Sequence, residues 1–527
     1  MQKKTNYARI LIMVFLALFF VLCVIAPIVS MLHRITLPGL QAMVHSPQFG
    51  DAARNSVTTA LTATVISLLL AIGASWCMER VQIRMKPLFR MLFILPMLIP
   101  SISHAFGLVT LLGTNGLVSR LLGLSSGIYG FWGIVIGSVM YSFPVAFLMF
   151  NSILRYEDGM PYKAAEVLGI SSLHRFFRIT LPYLKKTLIS AFFAVFTMIV
   201  TDYGVPLLIG GKTITLSVLM YNKAVGMLDY DSGSVIGAFL LIPALMAFLV
   251  DVINPENGQS AFVSEKVEQA NASWTKAAGY LCCGVLSVCV LAPVLAFCVM
   301  VFETKYPVDP TFTLYHIQKT INRGAGEYLR NSVGYSLITA SLGTLIAFIC
   351  AYMTARLRGS FGRLLHLASL TSMAIPGIVL GLSYVIFFSG TPVYGTLMIV
   401  ALVNSVHFFA SPYLMMYNTL GKTNQNLEDV GLSLGVGRLH IILDVIVPKV
   451  RYTLYEMFVY FFVNSMMTIS AVSFLAPPAP KPVALMINQF EAQLLMESAA
   501  FVSLLILLIN LLLKTAATVI QRRQDAE

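Results

Sequence analysis

Charged residues are scarce in this sequence. Asp, Glu, Lys and Arg make up only 11% of the 527 residues, whereas 57% are hydrophobic, and the mean hydropathy is +0.81. Soluble domains carry about a quarter charged residues, so the composition excludes an ordinary soluble protein. Apolar runs recur that are long enough to cross the ~30 Å hydrocarbon layer, which takes about 20 helical residues. Since these runs do not alternate apolar and polar residues, they favour helices over the strands of a membrane barrel.

Motifs of catalysis and of cofactor binding are also missing. The tripeptide GKT occurs at 211–213 and 421–423, but Pro206 and Met416 stand where a phosphate-binding loop has its first glycine. GLSSG (123–127) and GLSLG (431–435) match the sequence pattern of a nucleophile elbow. Such an elbow needs a preceding strand, whereas one copy lies in an outer loop and the other in a polar segment between spans. The seven cysteines fall in apolar runs without metal-ligand spacing, which indicates core packing. We therefore predict no catalytic residue, metal or cofactor in this chain.

The apolar runs predict an all-α polytopic membrane protein. Twelve transmembrane helices are expected near residues 9–31, 56–78, 88–112, 130–152, 184–209, 233–254, 275–301, 332–355, 362–389, 395–418, 453–476 and 497–520. Lys and Arg are concentrated in alternate loops, which by the positive-inside rule places these loops and both termini in the cytoplasm. The net charge of +12 is thus spread over the loops of a cell-membrane protein rather than over one face, and we predict no nucleic-acid partner.

The sequence contains one internal repeat. The segment RNSVTTALTATVISLLLAIGASWCMER from Arg54 matches RNSVGYSLITASLGTLIAFICAYMTAR from Arg330, an offset of 276 residues that later contracts to 266. Two six-span halves, residues 1–254 and 275–527, are predicted on either side of a polar cytoplasmic linker, 255–274. An even number of spans per half gives both copies the same orientation, so they are parallel repeats.

Each half carries a polar segment between its fourth and fifth spans. These segments are KAAEVLGISSLHRFFRITLP (163–182) and DVGLSLGVGRLHIILDVIVP (429–448). We predict two short helices outside the membrane in each: Gly169 and Gly435 end the first helix in the left-handed conformation. Ser171 or Ser172 caps the second. Pro182 and Pro448 begin the next transmembrane helix.

These spacings resemble the EAA loop of permease subunits of binding-protein-dependent ABC importers, in particular the fused permeases of the iron(III), thiamine, polyamine and phosphonate group. The resemblance implies the type I importer permease fold, and partners in an extracytoplasmic solute-binding protein and two copies of a cytoplasmic ATPase that binds ATP and Mg. It assigns the ATPase-coupling contact to the residues that match the motif or replace its letters. They are Lys163, Ala164, Ala165, Gly169, Ile179, Leu181 and Pro182 in the first loop, and Asp429, Val430, Gly431, Gly435, Val445, Val447 and Pro448 in the second.

Three further segments bear on the substrate. TDYGVPLLIGG (201–211), LLIPALMAFLVD (240–251) and MMTISAVSFLAPP (466–478) are similar to permeases assigned to 2-aminoethylphosphonate uptake, and ferric-iron permeases share related sequences there. Ionisable residues inside a membrane are functional candidates, so Asp202 is either an interfacial group at a helix end or part of the outer mouth. The expected pathway residues are Asp202, Tyr203, Asn464, Thr468 and Ser470; His104 and His407 are either pathway ligands or packing residues.

Two other classes of protein compete with this interpretation. A secondary transporter of the major-facilitator type also has parallel six-helix repeats, but the loop ERVQIRMKPLFR (79–90) lacks that family's glycine-aspartate-arginine pattern, and the two polar segments would be unexplained. A membrane enzyme would need a nucleophile or metal cluster that the sequence does not offer.

Overall fold

The computed structural model describes residues 2–123, 127–253, 265–356, 360–423, 426–475 and 482–526. Residues 124–126 of one elbow motif, 255–264 of the predicted linker, and the last residues of the predicted spans 233–254 and 453–476 lie outside these ranges. Within them the chain is a bundle of helices, with one antiparallel hairpin of strands β1 (Glu303–Lys305) and β2 (Asp309–Phe312).

The helices of the first half follow one another with short connections. Their bounds are α1 Gln2–Phe20, α2 Ala26–His33, α3 Leu37–Val44, α4 Pro47–Arg80, α5 Lys86–Ile94, α6 Ser101–Leu112, α7 Leu117–Leu122, α8 Phe131–Arg155, α9 Met160–Val167, α10 Ser172–Arg175, α11 Leu181–Thr201, α12 Gly204–Ile209, α13 Leu216–Tyr221 and α14 Tyr230–Ile253.

The second half follows a similar but not identical order of elements. Its helices are α15 Ser273–Phe302, α16 Tyr315–Thr320, α17 Gly326–Arg356, α18 Ser360–Leu370, α19 Gly377–Phe388, α20 Leu397–His407, α21 Ala410–Gly421, α22 Asn426–Ser433, α23 Arg438–Ile441, α24 Val447–Met467, α25 Val472–Leu475, α26 Val483–Ala492 and α27 Met496–Ala526.

The number of spans differs from the twelve expected. In the described residues nine helices are long and apolar enough to cross a membrane, or eleven if two bent pairs, Ser360–Ala374 with Gly377–Phe388 and Leu397–His407 with Ala410–Gly421, each count as one span. The predicted span 453–476 is not among them. Its place is taken by α24, whose first three turns contain Lys449, Arg451 and Glu456 and so lower its mean hydropathy.

Several predicted spans are broken, and the breaks recur at equivalent points of the two halves. Ile99 and Ile375 have extended backbone before Pro100 and Pro376, because a residue that precedes proline is pushed out of the helical region. A second pair of breaks follows α11 and α24, where Asp202 and Thr468 are extended, with ψ of 132° and 133°. The two halves are thus broken at matching points of the repeat.

The second helix of each polar segment is continuous with a membrane helix, which corrects the expectation of a separate short helix. Between α10 and α11, residues Phe176–Thr180 form a π-helical turn, and Ile442–Ile446 do the same between α23 and α24. Each turn ends two residues before a proline, Pro182 or Pro448. Since proline has no N–H and clashes with the carbonyl four residues back, a π turn lets the helix pass through it without ending.

The first helices of the two halves are exchanged. Helix α2 packs on α19 of the second half, where the Tyr384 hydroxyl donates to the carbonyl oxygen of Cys23 at 2.6 Å. Helix α15 packs on α6 of the first half, and a Cβ at Gly107 would lie 2.4 Å from Pro293 Cβ. Each half thus completes the other, and the two form one bundle.

Candidate functional site

The first polar segment forms a helix that ends in a glycine turn. Gly169 has φ of +70°, as the sequence pattern predicts. Its N–H donates to the Glu166 carbonyl at 2.9 Å, and the N–H of Ile170 donates to the Ala165 carbonyl at 2.9 Å. This pair of bonds is the Schellman arrangement, which satisfies the last carbonyls of α9. The side chain of Ala165 is buried, so it faces the bundle and not the partner side.

The second segment has the same turn but a closer contact. Gly435 has φ of +78°, and the Val436 N–H donates to the Gly431 carbonyl at 3.0 Å. Gly431 matches Ala165, and a Cβ there would lie 2.8 Å from Ile441 Cδ1. A side chain at position 431 would press on the end of the Ile441 side chain, so the glycine favours the close approach of α23.

The expected serine cap is only partly found. Ser171 occupies the N-cap position of α10, with extended backbone, but its side chain makes no capping bond. The Ser171 hydroxyl lies 2.9 Å from Nδ1 of His174 instead. In the second segment the N-cap position is Gly437, which has no side chain to offer.

A buried ion pair anchors the first segment to the end of α4. The Arg80 guanidinium pairs with the Glu157 carboxylate, and both side chains are almost fully buried. Tyr162, on α9, donates to the same carboxylate at 2.6 Å and also contacts the Thr180 hydroxyl. Burial raises the pKa of Glu157, while the bond from Tyr162 and the charge of Arg80 oppose this. The cluster joins α4, α9 and the π turn before α11.

The second segment is anchored by a rearranged version of this cluster. Arg356 matches Arg80, but its Nε donates at 2.6 Å to Glu428, which lies on α22 itself. Tyr352, one turn before Arg356, donates to the same carboxylate at 2.8 Å. Sequence reasoning missed both clusters. The available signal was that each apolar run of the repeat ends in a matched arginine, although the carboxylate partners do not match.

Most of the remaining residues of the two predicted coupling surfaces are exposed to solvent. Two neighbouring apolar side chains are exposed as well, Val167 to 88% and Leu434 to 75%. Lys163 is exposed and pairs with Glu265 of the linker, which raises the pKa of its ammonium group. The other named residues follow along the two surfaces: Ala164, Leu181, Pro182, Asp429, Val430, Val445 and Pro448 are exposed, whereas Ile179 and Val447 are half-buried.

A cavity of about 310 Å³ lies between the two halves. It is bordered by α8, α11 and α14 of the first half and by the breaks of the second half around Ser372–Gly377 and Ser470. Its polar lining consists of Tyr141, Thr197, Thr201, Asp202, Ser372, His407, Ser411, Tyr460 and Ser470. Among the described residues that line it, none is a lysine or an arginine, and Asp202 is the one acidic residue.

The predicted pathway residues divide into two groups. Asp202 and Ser470 line the cavity, and Asp202 also accepts the Val205 N–H at 3.0 Å at the start of α12. Asp202 therefore lies at a helix end, as the interfacial alternative expects, but its side chain is buried. Tyr203 bonds to Ser473 of the second half, whereas Asn464 donates to the Tyr460 carbonyl at 2.8 Å within α24, and Thr468 is buried. Tyr203, Asn464 and Thr468 are not among the residues that line the cavity.

The two histidines differ in the same way. His104 is buried, and its Nε2 lies 3.1 Å from the carbonyl of Pro96, within its own broken span. His407 lines the cavity, and its Nδ1 has no hydrogen-bond partner among the described residues. At an offset of 266 residues, His407 matches Tyr141, which lines the cavity from the first half. Packing therefore accounts for His104, whereas His407 remains a candidate pathway residue.

The breaks meet through a glycine and a serine in each half. A Cβ at Gly204 would lie 2.5 Å from Ser101 Oγ, and one at Gly377 would lie 2.5 Å from Ser470 Oγ. Ser101 matches Gly377, and Gly204 matches Ser470, so the two residue types are exchanged between the halves. Such an approach needs a glycine on one side.

Known proteins were compared with the chain. The model of the family described as "binding-protein-dependent transport system inner membrane component" matches twice, at residues 72–255 and 343–526. The ferric transport system permease protein FbpB of Actinobacillus pleuropneumoniae is 26% identical over 428 residues, which are 78% of this chain and 62% of that protein. A putative ferric transport system permease of Haemophilus influenzae is 25% identical over 78% of this chain and 68% of its own length.

The chain thus spans about two thirds of the length of these two relatives. Permeases named for other solutes match shorter parts: the molybdenum transport permease ModB of Azotobacter vinelandii is 27% identical over 38% of this chain and 92% of its own length. The two family matches cover well over half of the sequence and agree with the internal repeat, and each contains one of the paired glycine turns, at Gly169 or Gly435. The chain belongs to the family of inner-membrane permease components of binding-protein-dependent ABC importers.

Proposed function

We propose that this chain alone forms the transmembrane unit of its importer and binds two ATPase subunits, one at each polar segment. The support is that one chain carries both halves, and that both segments present apolar side chains to solvent at the same end of the bundle. Leu168 and Leu173 in the first and Leu434 and Leu439 in the second are all more than 60% exposed. Exposed apolar patches of this kind mark protein interaction sites.

ATP binding and hydrolysis are assigned to the partner subunits in this proposal. The ATPase dimer needs only to contact the two segments differently in the inward-facing and outward-facing states, since a ligand shifts an equilibrium by its differential affinity. Both termini and both segments then lie in the cytoplasm, and a binding protein delivers the solute on the opposite side.

For the substrate, we propose a small solute that carries positive charge. The observation that supports this is the cavity between the halves, whose lining combines the Asp202 carboxylate with hydroxyl, phenol and imidazole groups and no lysine or arginine among the described residues. An unpaired anion would be repelled there. A single carboxylate suits passage rather than tight retention, because a pathway must release what it binds.

Ferric iron is the first candidate. Two relatives that align with 78% of this chain are named as ferric transport permeases. Carboxylate and imidazole are also ligands that iron accepts in proteins. In the described residues no group of three or more His, Cys, Asp or Glu could hold a metal ion, so the iron would be passed on and not stored.

2-Aminoethylphosphonate is the second candidate. Its ammonium group could pair with Asp202, while the hydroxyl groups of Ser470 and Tyr460 could donate to the phosphonate oxygens. The segment 201–211, which contains Asp202, is one of the three that resemble permeases for this compound. Both candidates carry positive charge, so Asp202 has the same role in either.

The test is uptake by the complete transporter in proteoliposomes, reconstituted with its ATPase and its binding protein. Labelled iron(III) and labelled 2-aminoethylphosphonate are compared for wild type, Asp202→Asn and the control Asp51→Asn, an exposed aspartate near the N-terminus of α4. Asn can still cap α12, so we expect folding to be kept and uptake to fall at least about tenfold if one charge pair of ~1.4 kcal/mol is lost. Normal uptake by Asp202→Asn would contradict the proposed role of the carboxylate.

A further inference from the structure

The described end of the linker is attached to the first half by main-chain bonds. The Ala270 N–H donates to the Arg80 carbonyl at 2.8 Å, and the Gln82 N–H donates to the Ala270 carbonyl at 3.0 Å. Residue 270 thus pairs, in a short parallel bridge, with the chain that leaves α4. Arg80 also anchors the first polar segment through Glu157. The linker and this ion pair therefore both contact the end of α4.

A second set of bonds joins the linker to the start of α9. The Gly159 N–H donates to the Glu265 carbonyl at 2.7 Å, and the Glu265 N–H donates to the Asp158 carboxylate at 3.3 Å. A Cβ on Gly159 would lie 2.9 Å from the Lys266 carbonyl oxygen. Since a side chain has no room there, glycine permits the two main chains to approach.

The third contact is between charged side chains. The Lys163 ammonium pairs with the Glu265 carboxylate and lies 3.8 Å from that of Glu268. Lys163 stands at a position where the EAA pattern has an acid, so a basic residue here is matched by two acids in the linker. In the second half the equivalent residue is Asp429, which is exposed and makes no ion pair with any part of the chain that the structure describes.

We propose that residues 265–270 are an internal brace for the first coupling helix, α9, and that Lys163 is a positioning residue held by Glu265 and Glu268 instead of an ATPase contact. This rests on the proposed function, in which α9 touches an ATPase subunit. The brace fixes α9 to the end of α4, so the first segment moves with its own half. The second segment has no equivalent strand among the described residues and takes its position from the Arg356–Glu428 pair.

The brace is tested on the full-length permease in nanodiscs, without ATPase, by hydrogen exchange of the amides of residues 159 and 265–270. Lys163→Glu should lower their protection about two- to fivefold, the range for an exposed ion pair. The triple variant Lys163→Glu, Glu265→Lys, Glu268→Lys should restore it. Lys185→Glu, which reverses an exposed charge at the start of α11, is the control and should change nothing.

A main-chain variant gives the larger effect. Gly159→Ala should lower the same protection more than tenfold, because its Cβ displaces the Lys266 carbonyl, whereas Gly326→Ala, at a helix start with open space, should leave it unchanged. Unaltered protection in both Lys163→Glu and Gly159→Ala would overturn the brace.

The positioning role is measured separately, as the ratio of solute molecules transported to ATP molecules hydrolysed by the complete transporter. Lys163→Glu should lower this ratio, and the triple variant should recover it. A ratio that stays low in the triple variant, although hydrogen exchange is restored, would mean that Lys163 itself contacts the ATPase and would overturn the positioning role. Failure of the wild-type first segment to cross-link to the ATPase would contradict the proposed function and leave the brace intact.

Discussion

The two halves of this permease follow a similar order of elements, yet they solve two local problems with different residues. The contact between the broken spans uses Ser101 with Gly204 in one half and Gly377 with Ser470 in the other. The matched arginines find their carboxylates at unmatched positions, Glu157 and Glu428. What the repeat preserves is therefore the geometry of an approach or an ion pair, and the identity of the residue on each side is free to change.

The halves also differ at the cavity and at the linker. The first half supplies the one acidic residue among the described residues that line the cavity, Asp202, where the second half has the buried Thr468. The first polar segment is tied to the linker, whereas the described residues of the linker make no such bond to the second. Fusion of two copies into one chain allows such a division, because each copy needs to supply only part of the cavity and one docking surface.

The largest expected effect comes from the buried arginine of the first half. Arg80→Ala leaves the Glu157 carboxylate buried without its counter-charge, which typically lowers stability by about 3–5 kcal/mol. Arg356→Ala should have a smaller effect, because the Glu428 side chain is 14% exposed whereas that of Glu157 is 3% exposed. Thermal unfolding of the purified permease in detergent compares the two. The double variant Arg80→Ala, Glu157→Ala should recover part of the loss; equal losses for both single variants would remove this difference between the halves.

The exchanged glycine and serine can be tested by exchanging them back. Gly377→Ser places a side chain against Ser470 Oγ and His407, and we expect a loss of about 1–3 kcal/mol from overpacking. Adding Ser470→Gly reproduces the arrangement of the first half and should restore part of the stability, with His407 the remaining obstacle. Thermal unfolding and uptake are both measured. A double variant that is less stable than Gly377→Ser would show that the two contacts are not interchangeable.

The two glycine turns should respond alike. Gly169→Ala and Gly435→Ala meet nothing within 4 Å, so the only penalty is the left-handed backbone, about 1–2 kcal/mol for a residue with a Cβ. We expect each variant to insert normally and to lose coupling, measured as ATPase stimulation by the loaded binding protein. Gly421→Ala, at a helix end with open space and no positive φ, is the matched control. Unchanged coupling in both variants would mean that the turns are not needed for docking.

The smallest effect concerns the charges at the start of the two coupling helices. Asp429→Ala should weaken co-purification of the ATPase more than Lys163→Ala does, because Lys163 is occupied by the linker and Asp429 is available to a partner. Exposed ion pairs contribute at most about 1 kcal/mol, so the change is expected to be a few-fold. If Asp429→Ala retains the ATPase as well as wild type does, the difference between Lys163 and Asp429 has no effect on how the two loops bind the ATPase.

Sequence by itself determined the class and the order of elements of this protein. Low charge and long apolar runs require helices in a membrane, because a backbone in lipid must satisfy its own hydrogen bonds. The internal repeat, at an offset of 276 residues, predicts the two halves. Two glycines at matched positions predict the left-handed turns that the structure has at Gly169 and Gly435. These features depend on local chemistry and on periodicity, which a sequence records directly.

Tertiary structure alone decided which distant residues meet. No spacing indicates that Glu157 pairs with Arg80, that residue 270 of the linker returns to α4, or that Tyr141, Asp202 and His407 share one cavity. It also decided that the helices after Gly169 and Gly435 run on through π turns into the membrane, since local sequence equally allows a separate short helix. The physical reason is that these contacts join segments tens to hundreds of residues apart, and their free energy depends on packing that exists only once both halves are assembled.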